Sequence, residues 1–295
     1  MENVLIQTLL NTPRIGRKSA RFIIDNYKGT ISNLRGLYNA IIESKLKNYR
    51  IPKIELRVLE KSYSESLEVF ELMKNAGIKI ISESDINYPE RLKRIDDKPL
   101  LLFIKGNLDA LNINKSVAII GTRKPGDFAI ENGKLITKQF VENKYSIISG
   151  LALGCDTVAH TSALDNNGIT VAVLPCAIDV VYPKKNSKLA DNILKNGGAL
   201  VSEYPIGAKM GKQNFIERDR LQSGMSDIVC ILETSVNSGT THTYNYAISQ
   251  NKLVATIDNP KITSDGNAVL LTNKNVVALR NMDDTYNLIN EFNKK

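Results

Sequence analysis

Ser116-Val117-Ala118-Ile119-Ile120-Gly121-Thr122-Arg123-Lys124-Pro125 and, one helix length later, Ser146-Ile147-Ile148-Ser149-Gly150-Leu151-Ala152-Leu153-Gly154-Cys155-Asp156 decide how this chain is read. Each begins as a short apolar run and breaks at glycine before a helical pattern. Short runs without apolar and polar alternation belong to strands buried on both faces, so the pair predicts a parallel sheet. A turn from a strand's carboxyl end to a helix amino end leaves N–H groups unpaired, which suits an anion.

The alternation continues downstream. Strands are predicted over 170–174, 199–202, 228–232 and 253–257, and helices over 128–143, 157–166, 187–196 and 244–250. An α/β domain over residues 81–295 follows, with a mostly parallel sheet, helices on both faces and ligands at the strands' carboxyl ends. Residues 1–80 form a separate all-helical pattern, with apolar residues at helical spacing over 4–10, 20–24, 34–42 and 67–73. The basic turn Thr12-Pro13-Arg14-Ile15-Gly16-Arg17-Lys18 resembles a helix-hairpin-helix phosphate grip, with Arg14 where a hairpin glycine is usual. A small SAM-like bundle used for protein contacts is the other reading of this region.

Charge supports a polyanionic partner. The 295 residues carry a net charge of +8. Residues 1–81 hold 14 Lys+Arg against 8 Asp+Glu, leaving 39 − 14 = 25 against 31 − 8 = 23 for the rest. In that larger part the cations gather in or beside strand-end segments, a footprint of nucleic acid, although a solvated lysine surface gives a similar count. No window reaches the roughly 20 apolar residues of a membrane helix, and no basic-then-apolar leader opens the chain, so a cytoplasmic protein without membrane contact is expected. Cys155, Cys176 and Cys230 are isolated, with only His160 and His242 as potential co-ligands, which excludes disulfide and zinc spacing. Neither a metal nor a cofactor is expected.

Five segments could hold phosphate or base. In the first, Gly121 permits a sharp turn, Thr122 offers a hydroxyl, and Arg123 with Lys124 supplies charge. In the second, Ser149, Gly150 and Gly154 present hydroxyl and amides; Asp156 is read as the cap of the following helix and His160 as a packing partner. The third contributes Lys184, Lys185 and Asn186 after Pro183. The fourth, Asn214-Phe215-Ile216-Glu217-Arg218-Asp219-Arg220, is read as a loop whose Phe215 stacks on a base while Arg218 and Arg220 hold the backbone; the equal alternative is a core Phe215, with Glu217 and Asp219 neutralising the arginines internally. The fifth, Ser238-Gly239-Thr240-Thr241, is an amide-rich turn before a helix.

In this order, together with Tyr88-Pro89, Gly106-Asn107, Asp179-Val180-Val181-Tyr182 and Leu200-Val201-Ser202-Glu203-Tyr204-Pro205-Ile206-Gly207, the segments resemble the DprA/Smf family of DNA-processing proteins over most of residues 88–260. The resemblance implies an extended Rossmann-type core behind a helical amino-terminal domain. It also implies binding and protection of single-stranded DNA, loading of the RecA recombinase in natural transformation, a homodimer, and no catalytic residues. Two departures stand out. Arg218-Asp219-Arg220 replaces the family's usual Arg-Asn-Arg, putting a negative charge beside the expected groove, and a core without the winged-helix-like carboxyl domain of many members is expected. The alternative is an enzyme or sensor for a small nucleotide; the Pro-Gly-Gly-x-Gly-Thr turn and helical Glu of related hydrolases are missing around Ser238 to Thr241, so hydrolysis lacks its carboxylate.

Overall fold

The computed structural model describes residues 1–48 and 50–294. The chain divides into two compact units: Met1–Asp85 with Pro99–Phe103, and Ile86–Lys98 with Ile104–Lys295.

The first unit contains α1 (Asn3–Asn11), α2 (Arg17–Asn26), α3 (Leu34–Lys47), α4 (Leu56–Asn75) and the strand β1 (Lys79–Ser82). Leu5, Leu9, Ile23, Leu37, Ile41 and Leu59 are its core, and each is almost completely shielded from solvent. The expected tight turn joins α1 to α2. Arg14 there takes φ 70°, the left-handed conformation a glycine adopts most easily.

The second unit opens with the short helix α5 (Glu90–Lys93), and β2 (Leu101–Gly106) passes between the two units. It continues through β3 (Ser116–Ile120), α6 (Asp127–Glu142), β4 (Ser146–Ser149), α7 (Cys155–Asp165), β5 (Thr170–Val173), α8 (Ser187–Lys195), β6 (Ala199–Ser202) and α9 (Lys212–Gly224). Then follow β7 (Ile228–Ile231), α10 (Thr240–Ser249), β8 (Leu253–Ile257), α11 (Gly266–Leu271), β9 (Val276–Leu279) and α12 (Met282–Asn293). Strands β6-β5-β4-β3-β7-β8-β9 lie side by side in that order, each pair parallel. The α/β class and mostly parallel sheet therefore stand as the apolar runs predict.

Strand alternation sends Val117, Ile119, Ile228 and Cys230 to one face, where Ile136 and Phe140 of α6, Ala159 and Ala163 of α7 and Leu288 of α12 complete a continuous core. Residues Ala118, Ile120, Val229 and Ile231 point the other way, and α9 and α10 pack on each other and on β5, β7 and β8. The strand order fixes the site. From β3 the chain winds outward through β4, β5 and β6, then returns to β7 on the other side of β3. This reversal parts the loops above β3 and β7 and opens a crevice at the carboxyl ends of the strands.

Candidate nucleic-acid interface

A cleft of about 530 Å³ occupies this crevice. Its walls are Ile120 to Lys124 after β3, Ala152 and Asp156 after β4, one face of α9, and Ser238, Gly239, Thr240 and Thr243 at the start of α10. A smaller recess of about 70 Å³ adjoins it, walled by Gly150, Leu153, Pro175, Tyr182 and Pro183 and sharing Arg123, Ala152, Phe215 and Arg218.

Backbone contacts hold the loops together. Thr122 N–H donates to the Glu233 carbonyl at 2.7 Å, and Cys155 N–H donates to the Thr122 carbonyl at 3.1 Å. Gly154 makes the second contact possible: it sits at φ +79°, and a Cβ there would collide with the backbone of Thr122 and Arg123. The Thr122 hydroxyl accepts from Lys124 N–H at 3.2 Å and sets the turn. Arg123 and Lys124 remain exposed and make no ion pair among the described residues. The Arg123 guanidinium lies 5.6 Å from the centroid of the Phe215 ring, which meets Tyr182 edge-on at 5.7 Å. A cation, a half-buried ring and a second ring thus stand together at one mouth. The amino end of α10 faces the same space, where the N–H groups of a first turn have no intrahelical acceptor.

Arg218 forms the charged floor. It is 6% exposed, its Nη1 donates to the Val173 carbonyl at 2.9 Å, and its Nε lies 3.2 Å from Asp219 Oδ1 without the alignment of a hydrogen bond. Asp156 stands beside it; Oδ2 accepts from Gly150 N–H at 3.1 Å and from Ala152 N–H at 3.2 Å. Burial raises the Asp156 carboxyl above the ordinary carboxylate range, against the opposing pull of Arg218. Burial likewise pushes Asp219 up to about 7, with Arg218 opposing and Asp156 adding to the rise. The Gln222 amide, in the orientation that satisfies both its ends, donates to Asp219 Oδ1 at 3.1 Å and accepts from Gly150 N–H at 2.9 Å.

The structure brings most of the sequence-predicted residues to this place. Gly121, Thr122, Arg123, Lys124, Phe215, Arg218, Ser238, Gly239 and Thr240 line the cleft, and Gly150 lines the recess. Others turn inward. Ser149 is buried, its hydroxyl donating to the Ile119 carbonyl at 2.6 Å, so it fastens β4 to β3. The Asn186 amide donates to the carbonyls of Leu151 and Ala152 and to Thr157 Oγ1, tying the third loop to the second. Lys184 and Lys185 are exposed on the same loop but outside the cleft lining, and Asn214 Oδ1 accepts from Gly211 N–H at the start of α9. The expected cap role of Asp156 is also corrected: Gly154 is the cap residue of α7, and the carboxylate closes back onto the preceding loop.

The largest difference concerns the fourth segment, which is helix rather than loop. Residues 212–223 contain neither glycine nor proline, so nothing breaks the helical backbone. Phe215, Arg218, Asp219 and Gln222 recur at helical spacing and share the cleft face. Arg220 is two positions from Arg218, roughly 200° around the helix, and points away. It is 1% exposed and held by Glu203 at 2.5 and 2.6 Å, by the Asp97 carbonyl at 2.9 Å and by the Glu217 carbonyl at 2.6 Å. Arg220 is therefore a structural guanidinium. Asp156, Asp219, Gln222 and Thr243 are the cleft residues with polar side chains that sequence reasoning did not assign to binding; a helical projection from Phe215 is the signal that finds Asp219 and Gln222.

Known proteins share this frame. Residues 79–290 match the family model described as DNA recombination-mediator protein A. Protein Smf of Escherichia coli is 35% identical over 173 residues, 59% of this chain and 46% of its own length, so the chain spans about half of that relative. The X-ray structure of DNA processing protein A from Streptococcus pneumoniae superposes with a TM-score of 0.80 at 27% identity, covering 97% of each chain. A Helicobacter pylori structure, described as showing the single-stranded DNA binding mode of DNA processing protein A, superposes with a TM-score of 0.65 at 29% identity, covering 73% of this chain and 96% of its own. The chain belongs to the DNA recombination-mediator protein A family, the DprA/Smf proteins.

Proposed function

We propose that this chain binds single-stranded DNA through the cleft above β3 and β7, as a non-catalytic component of DNA processing and recombination. The observation that carries the reading is the grouping of Arg123 over Phe215, with Tyr182 beside the ring and Arg218 below. Aromatic rings stack on a base of any kind, and unpaired guanidinium and ammonium groups take the phosphates on either side. The cleft holds a nucleotide unit rather than a whole strand, and a longer strand continues over exposed Lys184 and Lys185. The Helicobacter relative, described by its single-stranded DNA binding, supports the same ligand.

The finer proposal is that the bound strand is protected and passed to the RecA recombinase, with the protein acting as a homodimer in the cytoplasm. The recombination-mediator family supports this handover. Among the described residues no helix is long and apolar enough to cross a membrane, and no group of three or more His, Cys, Asp or Glu side chains is placed to hold a metal ion.

Fluorescence anisotropy of a labelled poly-dT strand and of its duplex, across a salt series, tests the proposal. Single-strand-selective binding is expected, with a log–log salt slope near −1.4 if Arg123 and Lys124 each neutralise one phosphate, at about 0.7 per contact. Saturable binding of a mononucleotide without binding of either DNA form would assign the cleft to a small-nucleotide enzyme or sensor instead.

A further inference from the structure

The cleft of a strand-binding protein has reason to be uniformly positive, yet a buried carboxylate forms part of this wall. Asp219 is 7% exposed, and its Oδ1 is engaged by Arg218 and Gln222. Its Oδ2 has no partner among the described residues, and the side chain lines the cleft on the same face of α9 as Phe215. A base stacked on Phe215 therefore meets one open carboxylate oxygen, which accepts a hydrogen bond and offers none. We propose that Asp219 is a specificity-determining residue that selects bases carrying an exocyclic amine, cytosine foremost, over thymine. The inference rests on the cleft being the strand-binding site. Cytosine presents its N4 amine to an acceptor, whereas thymine presents O4 there, a carbonyl facing a carboxylate.

The same carboxylate sets the charge of the floor. Facing it are Arg218 on its own helix, Asp156 on α7, and Arg123 with Lys124 after β3; the turn before α10 contributes Ser238 and α10 itself Thr240 and Thr243, whose hydroxyls do not titrate. His160, buried behind Arg218 and bonded to Thr170, is held at about 3 by burial and then by Arg218, so it stays neutral near pH 7. Asp219, lifted to about 7, is ionised at pH 8 and takes a proton as pH falls to 6. Protonation removes the open acceptor and adds one positive charge to the cleft. Base preference then fades while overall affinity rises.

The test measures anisotropy of labelled (dC)20 and (dT)20 at pH 8 and pH 6 with wild type, Asp219→Asn and Asp156→Asn. A hydrogen bond to a charged group corresponds to roughly tenfold or more in affinity, so wild type at pH 8 is expected to bind (dC)20 about tenfold tighter than (dT)20. The ratio approaches one at pH 6, and Asp219→Asn abolishes its pH dependence while Asp156→Asn retains it. If a variant does not fold, the fall of the wild-type ratio between the two pH values is itself the test. Strand binding with the same ratio at both pH values, or with an unchanged pH dependence in Asp219→Asn, overturns the assignment and leaves strand binding standing. No binding of either oligonucleotide by wild type overturns both.

Discussion

Replacing Arg220 with methionine separates folding from binding on one helix. The side chain is 1% exposed and shares two hydrogen bonds with Glu203, whose own side chain is 10% exposed, while two carbonyls accept from two more of its five donors. Substitution takes the guanidinium from a buried carboxylate, and removing one partner of a buried ion pair costs about 3–5 kcal/mol. With a urea dependence of ~1–3 kcal/mol per molar, the unfolding midpoint falls by at least about 1 M. The assay is urea unfolding followed by circular dichroism, paired with anisotropy on the same preparations under native conditions. The folded fraction of Arg220→Met retains strand affinity within about threefold, because the residue lies outside the cleft. Changing Glu203 to leucine in the same chain recovers much of the midpoint, since a buried pair replaced on both sides by apolar groups is often neutral. An unchanged midpoint together with lost strand binding would refute the structural role of Arg220 and return it to the binding surface.

Reversing the charge at Arg123 lowers single-strand affinity by tenfold or more and makes the salt slope shallower by about 0.7, whereas the same change at Lys261, exposed and placed over Phe128 outside the cleft lining, leaves both within error in the same titration. Gly150→Ala puts a Cβ into the Arg218 guanidinium; a loss of about 1–3 kcal/mol in unfolding experiments and a parallel loss of strand affinity are expected, and unchanged values for both would show that Arg218 moves freely. Asp219, lifted to about 7 from an ordinary value of 3.8, holds a proton in the folded state that the unfolded chain releases, so its contribution favours folding as pH falls through 7 towards 4. Asp219→Asn is accordingly more stable than wild type at pH 8, with a gap that closes as pH falls, measured by urea midpoints from pH 8 to pH 5; His160 is common to both proteins and cancels.

The sheet was legible because its strands are short, uniformly apolar and punctuated by glycine, and the loops above β3 and β4 followed directly from that punctuation. The cleft was legible where one loop supplies it, as with Gly121 to Lys124. It was hidden where tertiary pairing decides exposure. Once the stretch is read as helix, projection from Phe215 separates Arg218 from Arg220, but charge and hydropathy do not, and the partners that bury Arg220, Glu203 and Asp97, are remote in sequence. Asp156 was readable as an acidic residue near a helix start. That its carboxylate would bind the amides of Gly150 and Ala152 depends on the path of the loop, which hydropathy does not encode. Buried polar residues such as Ser149 and Asn186 show the same limit: residue type suggested a ligand contact, and backbone carbonyls brought close by the fold satisfied them first.

The winding of the sheet has a consequence for synthesis of the chain. The cleft joins Gly121 and Arg123 to Thr240 and Thr243, residues more than a hundred positions apart that meet only after β7 docks beside β3 and α10 follows it. A ribosome-bound chain that has exposed β3 to β6 carries the arginine loop without its opposite wall. The cleft is complete only when β7 and α10 have left the exit tunnel. If the cleft is the strand-binding site, as proposed, strand affinity in a series of stalled chains appears abruptly once α10 is free to pack.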